Sequence, residues 1–298
     1  MMAEHHSVLL QEVIDGLVLS KGATFFDGTL GGGGHSAAVC EALGGDVRII
    51  GLDADHEAVA RGKSRVRDAG CSGIFLESNF RYADRVLREL RIGRELDGAL
   101  LDLGLSSFQL EEGKRGFSFQ KDEPLIMTFA ASGDGLTAEE VVNDWGGEEL
   151  ARIIAEYGEE RLARRYAHAI LSARKGKRIT RSKELEGIIY HATPSKLRGR
   201  RIHPATRTFQ AIRIAVNDEL ETLKEGLRGI EEHLAPGGRL AVISFHSLED
   251  RIVKETLRAW ASEGRGVIQT KKPITPFEEE IEANPRSRSA KLRIYQSQ

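Results

Sequence analysis

Apolar residues fall into short runs over the first hundred positions and into longer runs at helical spacing after that. The short runs are Thr24-Phe25-Phe26-Asp27, Arg48 to Asp53, Ile74-Phe75-Leu76 and Asp97 to Leu103. Segments long enough for crossover helices separate them. This β-α-β-α rhythm predicts an α/β fold built on a doubly wound, mostly parallel sheet. A fifth strand, Arg239 to Phe245, follows only after a gap of about 135 residues. Lys291 to Gln296 is expected to form an edge strand.

The gap itself carries helical patterns. Thr137-Ala138-Glu139-Glu140 has the form of a capping box. Glu148 to Tyr157 has apolar residues at helical spacing, with Gly158 placed to end it. Arg161 to Arg174, and Ser182 to Ala192 before Pro194, predict two more helices. Residues 113–200 therefore read as an all-helical insertion. Residues 1–112 and 201–298 would form the sheet domain. Beyond Pro204, Phe209, Ile212, Val216, Leu220, Leu223, Leu227, Ile230 and Leu234 step by three or four. They predict one long helix, stopped by Pro236-Gly237-Gly238, with a single apolar stripe against the sheet.

Composition narrows the class. Of 298 residues, 40% are hydrophobic and 30% charged, which suits a globular protein with a core. The longest stretch without Asp, Glu, Lys or Arg is the Gly-rich Gly28 to Cys40, too short to span a membrane. Met1 to Glu12 shows no basic and apolar leader pattern. Two cysteines, Cys40 and Cys71, make neither a disulfide framework nor a zinc site. A reduced cytoplasmic protein, with both as small core residues, is the expectation. Net charge is only −2, which excludes a uniformly basic coat. Yet Arg161 to Arg213 holds fifteen Lys and Arg against two acids, Glu184 and Glu186. A local excess of that size on an otherwise acidic chain implies a polyanion partner, most simply nucleic acid.

The chemistry gathers at strand ends. Asp27-Gly28-Thr29-Leu30 and four glycines, Gly31 to Gly34, follow the first strand directly. Such a loop lets backbone approach a ligand, and the next helix aims its N–H groups at a carboxylate or phosphate. Asp53 ends the second strand, where a carboxylate can accept from both hydroxyls of a ribose. These two features argue for an adenosine-containing cofactor and leave nicotinamide dinucleotide and S-adenosylmethionine both open. Asn79-Phe80 follows the third strand, where a ring can stack on a base or simply fill core. Asp102 ends the fourth, at the edge that faces the ligand crevice.

Eight separated segments decide between those cofactors. They are His5 to Leu10, Asp27 to His35, Leu100 to Ser107, Arg115 to Phe119, Tyr157 to Arg161, His203 to Gln210, Ser244 to Arg251 and Asn284 to Ser289. In that order they resemble the family of ribosomal small-subunit RNA methyltransferase H, also called MraW. The resemblance implies a class I methyltransferase fold with a helical insertion and S-adenosylmethionine as cofactor. It implies N4-methylation of a cytidine in small-subunit (16S) ribosomal RNA near the decoding site, met within the small ribosomal subunit. Neither a membrane nor a resident metal is expected. Matched motif by motif, cofactor contacts fall on Gly33, Gly34, His35, Asp53, Phe80, Asp102 and Gln109. Pro124 to Ala130 lacks the two acids and the arginine that the family usually carries there, and Phe108 stands where it usually has proline.

Amine methylation is an in-line displacement, so positioning supplies much of the rate. The N4 lone pair is delocalised into the ring, and a nearby acceptor should favour tetrahedral nitrogen. The Asn/Asp-Pro-Pro-Tyr motif of many amino-methyltransferases is replaced here by Asp102-Leu103-Gly104-Leu105. Asp102, Ser106 and His246 are the candidate catalytic groups. Ser247 is expected to cap the helix after the fifth strand. Neither cysteine sits in a strand-end motif, which argues against the covalent route to C5. Arg198, Arg200, Arg201, Arg207 and Arg213 are the expected phosphate contacts. The rivals are a nicotinamide-dependent oxidoreductase, a methyltransferase acting on another RNA, and a noncatalytic RNA-binding assembly factor.

Overall fold

The computed structural model describes residues 7–104, 114–129, 135–199 and 201–298. Ser106, Phe108, Gln109 and Arg200 lie outside the described residues. The chain divides into two compact units, the sheet unit up to Gly104 with Leu220–Gln298, and the helical unit ending at Glu219.

The sheet unit is built on β1 (Ala23–Asp27), β2 (Val47–Asp53), β3 (Gly73–Glu77), β4 (Leu96–Asp102), β5 (Leu234–Ser244), β6 (Gly266–Ile268) and β7 (Lys291–Ser297). Their order is β3-β2-β1-β4-β5-β7-β6. β1 to β5 run parallel, and β7 runs antiparallel to both β5 and β6. Consecutive residues face opposite sides, so both faces need apolar side chains. Phe25, Ile49, Leu100 and Ala241 join one core, with α1 (Leu10–Leu17), α2 (Gly34–Ala42) and α3 (His56–Asp68). Phe26, Ile50, Leu101 and Val242 join the other, with α4 (Ala83–Glu89) and later helices. The strand order reverses between β2-β1 and β4, which places a crevice at the carboxyl ends of β1 and β4.

The helical unit contains α5 (Ala138–Asp144), α6 (Gly147–Glu156), α7 (Ala163–Arg174), α8 (Ser182–Ala192), the short α9 (Ser195–Arg198) and α10 (Ala205–Asn217). Thr137 and Glu140 form the expected capping box of α5. The unit has its own core, in which Val141, Ile153, Ile154, Tyr166, Ile170, Leu185, Ile189, Phe209 and Ile212 are buried together.

The fold departs from the pattern of the sequence at several points. The long helix expected after Pro204 is two helices, α10 and α11 (Glu219–Glu231), broken at Asp218 with φ 48. Aspartate tolerates that left-handed conformation better than most residues. The stripe is therefore split: Phe209 and Ile212 enter the helical core, while Leu223, Leu227 and Ile230 enter the sheet core. The break also moves the domain boundary from 200 to 219, because α10 packs with α5, α6 and α8. Pro236-Gly237-Gly238 lies inside β5, where Leu234 pairs with Leu96 and Arg239 with Gly98. β7 is interior, and the edge belongs to β6, too short to stand out in the sequence.

The cysteines depart as well. Both are buried in the core as expected, but they are joined in a disulfide. Cys40 sits in the last turn of α2 and Cys71 follows α3. The crossover brings them together across a separation of 31 residues, which no local pattern reveals.

Candidate active site

The loop after β1 is fastened residue by residue. Gly28 N–H donates to Leu100 O at 3.0 Å, and Leu30 N–H to Leu52 O at 2.8 Å, tying the loop to β4 and β2. Thr29 Oγ1 accepts from the Asp102 N–H at 2.6 Å. Gly31 N–H donates to Asp53 Oδ2 at 2.8 Å. Gly33 then starts α2 with φ 73, and its Cα hydrogen faces the Gly62 backbone so closely that a Cβ would come within 2.8 Å. That position needs glycine for packing, apart from any ligand. Gly34, the first residue of α2, lies against Ser7.

Asp27 and His35 sit buried along the edge, and Asp102 beside them has its Oδ1 buried while 24% of its side chain stays exposed. Asp27 accepts from Ser36 Oγ at 2.7 Å and from Thr29 N–H at 3.1 Å. Burial nonetheless pushes its carboxyl up to about 6. His35 Nε2 bonds with Val8 O at 3.0 Å, which turns Nδ1 towards Asp102 Oδ2 at 3.8 Å. Burial lowers the His35 imidazole from its ordinary value. Asp102 is pushed up to about 7 by burial, against a hydrogen bond from the Gly104 backbone, and the charge of Glu249 pushes the same way. Its Oδ1 has no hydrogen-bond partner among the described residues. A buried carboxylate oxygen left open is costly and marks a place made for a donor or a cation.

Asp53 is also raised by burial. Its oxygens accept from Gly31 and Asp55 N–H groups, at 2.8 and 2.9 Å, and each keeps a further lone pair. Ser78 N–H donates to Asp53 O at 2.9 Å, so Phe80 begins its short 3-10 turn beside the same edge. The Phe80 ring packs on Gly226 of α11 and is only half-buried.

Beyond β5, His246 caps α12 (Ser247–Ser262), one residue earlier than the expected Ser247. Its Nδ1 accepts from Glu249 N–H at 3.4 Å, while Glu249 Oε2 accepts from His246 N–H at 3.2 Å. Nε2 lies 3.1 Å from Glu249 Oε1, a contact without hydrogen-bond alignment. The ring is thus occupied with the helix end. Two acids of this edge, Asp27 and Glu249, are absent from the sequence-derived candidates. For Asp27 a signal exists, since it ends β1 as Asp53 and Asp102 end their strands. Nothing local marks Glu249, which reads as an ordinary first-turn acid.

The candidate arginines are mostly engaged within the helical unit. Arg213 grips Glu219 at two points, both 2.7 Å. Arg198 donates to Thr193 O at 2.9 Å and His191 O at 3.0 Å, closing α8. Arg207 donates to Glu159 O at 3.0 Å. Arg201 is exposed.

A parallel sheet of this order, a seventh strand inserted antiparallel, a glycine loop after β1 and a carboxylate closing β2 define a class I methyltransferase domain. Residues 2–298 match the MraW methylase family, and the chain belongs to it. It is 46% identical over 308 residues to the ribosomal RNA small subunit methyltransferase H of Symbiobacterium thermophilum, covering 98% of this chain and 96% of that one. The Heliobacterium modesticaldum protein of the same name is 45% identical over 311 residues, with 98% of each chain covered. The one from Koribacter versatilis is 48% identical over 297 residues, covering 97% of this chain and 92% of its own. The chain is a methyltransferase with S-adenosylmethionine as its cofactor. The open Asp102 oxygen and the spare lone pairs of Asp53 suit a ligand that carries an ammonium group and ribose hydroxyls. No helix among the described residues is long and apolar enough to cross a membrane.

Proposed function

We propose that this chain methylates the exocyclic N4 of a cytidine in small-subunit (16S) ribosomal RNA near the decoding site. The observation that carries the reading is the Asp102 carboxyl at the end of β4, whose buried Oδ1 is left open. The names of the relatives and the motif resemblance support the substrate. S-adenosylmethionine, when bound, supplies a methyl group on a sulfonium.

The chain's own residues do the rest. Asp53 accepts from the ribose hydroxyls, and Phe80 borders the base. Gly33, Gly34 and His35 shape the loop and the start of α2. Asp102 in its ionised form holds the positive charge of the cofactor's ammonium, or accepts a hydrogen bond from the N4 amine as that nitrogen becomes tetrahedral. Stabilising charge that develops only in the transition state raises turnover. Gln109 as a cofactor contact and Ser106 as an alternative acceptor follow from the resemblance. His246 serves by fixing the start of α12. The helical unit contributes the RNA contacts. The working compartment is the cytoplasm, and the RNA is met within the small ribosomal subunit, without a resident metal.

The test is methyl transfer to small subunits purified from a strain lacking the gene, followed by nucleoside analysis. N4-methylcytidine is the expected product. Binding of S-adenosylmethionine with no transfer to these subunits or their free RNA would favour a noncatalytic assembly factor.

A further inference from the structure

The surface positive charge of the helical unit has a different centre from the one its sequence indicates. Along α7, Tyr166, Ala167 and Ile170 are buried, and Arg174, on that same side, donates to Val142 O at 2.9 Å. Arg165 is spent on Ala192 O. On the opposite side, Arg164, His168, Ser172 and the C-cap Lys175 are all exposed. At 3.6 residues per turn these four fall within an arc of about 80°. Arg161, also exposed, extends the same side just before the helix.

The side chains of Arg161, Arg164, His168 and Lys175 make no hydrogen bond or ion pair with any described residue. No acid occurs between Arg161 and Lys183. The acid just before the stripe, Glu160, is turned inward: its Oε1 caps the Leu162 N–H at 2.8 Å, and Oε2 lies 3.9 Å from Arg207. Neighbouring exposed cations are neutralised by acids. Arg178 pairs with Glu139 and Asp144, Arg181 with Asp122, Lys177 with Glu184. The α7 stripe alone keeps a row of unneutralised charge along one helix face of this unit, among the described residues.

We infer that the exposed face of α7, with Arg161, Arg164, His168 and Lys175, is the surface on which the helical unit holds the phosphate backbone of its RNA. From Arg164 to Lys175 the helix rises about 16 Å, long enough to follow several successive phosphates. Side chains on one helix face reach phosphates without reading bases, so the stripe gives affinity and register, not sequence choice. This assignment rests on the RNA substrate proposed above and names the residues that grip it.

The experiment compares the full-length protein with the variant Arg161→Glu, Arg164→Glu, Lys175→Glu. Binding of a fluorescent fragment of small-subunit RNA is measured by anisotropy over a range of salt. Every phosphate that is no longer neutralised should flatten the log–log salt dependence by about 0.7 for single strands, so the triple variant should show a slope shallower by about two units. Its affinity at low salt should fall at least about tenfold on that basis. S-adenosylmethionine affinity and thermal unfolding should stay unchanged, and the Gln triple should show the same direction with a smaller effect. The matched reversals Arg258→Glu and Lys271→Glu, exposed on the sheet unit, should leave the slope as it is. If the wild type binds with a steep slope and the triple variant keeps it, α7 is not the phosphate surface. If the wild type does not bind the RNA, the substrate reading falls, and this assignment falls with it.

Discussion

Acids at the carboxyl edge of the sheet and acids of the helical unit are shifted in opposite directions. At the carboxyl edge of the sheet, Asp27, Asp53 and Asp102 are all raised, and burial is the first cause each time. In the helical unit Glu140, Asp144 and Glu184 are lowered, chiefly by hydrogen bonds from Thr137, Arg178 and Lys177. The first pattern withholds water from part or all of each carboxyl, at a cost in stability. The second satisfies them on the surface. A site for chemistry and a scaffold that presents a surface differ in that way.

The largest effect that can break this contrast is at Asp102. Asp102→Asn keeps the shape and removes the charge. If the carboxylate stabilises charge that appears in the transition state, single-turnover methylation at saturating S-adenosylmethionine should fall about 100-fold. A full rate recovered at high cofactor would reduce Asp102 to a binding residue and shift attention to Ser106. Because burial sets the wild-type group at about 7, the rate at low cofactor should rise with pH through that value. The Asn variant should lack this limb.

Asp53→Ala comes next. Removing an acceptor that takes hydrogen bonds from ribose hydroxyls should cost about 1.5–3 kcal/mol of cofactor affinity. Calorimetry on the folded variant measures it, and an unchanged affinity would remove Asp53 from the site.

The same carboxyls make stability depend on pH with a definite sign. A carboxyl whose folded value is raised binds its proton more readily in the folded state. That contribution is complete below the ordinary value of 3.8 and is lost as pH rises to about 6 for Asp27 and about 7 for Asp102. The cofactor-free protein should therefore melt at a lower temperature at pH 8 than at pH 6, and Asp102→Asn should flatten the difference. A melting temperature that climbs over this range would mean that the edge is not dry.

What the sequence discloses differs between the units for physical reasons. Strands β1, β2, β4 and the second half of β5 are legible because burial on both faces writes continuous apolar runs, with Asp27, Asp53 and Asp102 ending three of them and a glycine loop interrupting the pattern at one place. The helices of the insertion are legible through caps and periodicity. The break at Asp218 is not, since the apolar stripe continues across it and only the partner core changes. The cap of α12 falls one residue from its expected place because histidine reads poorly as a cap beside a serine. Arginine roles are the least legible. Whether a guanidinium reaches a phosphate or a carbonyl is settled by tertiary neighbours, and a count of charges from Arg161 to Arg213 weighs Arg198 the same as Arg164.

The smallest expected effect is at Arg198, which by its place in the basic run looks like a phosphate contact. Its guanidinium instead closes α8 through Thr193 O and His191 O, and lies 5.0 Å from the centre of the Tyr190 ring. Carbonyls at a helix end have no partners of their own within the helix, so a donor there stabilises the end. Arg198→Ala removes both hydrogen bonds and the ring contact in a partly exposed setting, which should cost about 1 kcal/mol of stability. The measurement has two arms. Chemical denaturation should show the destabilisation, while the salt dependence of RNA binding should keep the wild-type slope. A slope reduced by about 0.7 with stability untouched would return Arg198 to the RNA and show that charge density along the chain, not the pairing of charges in the fold, locates the contact.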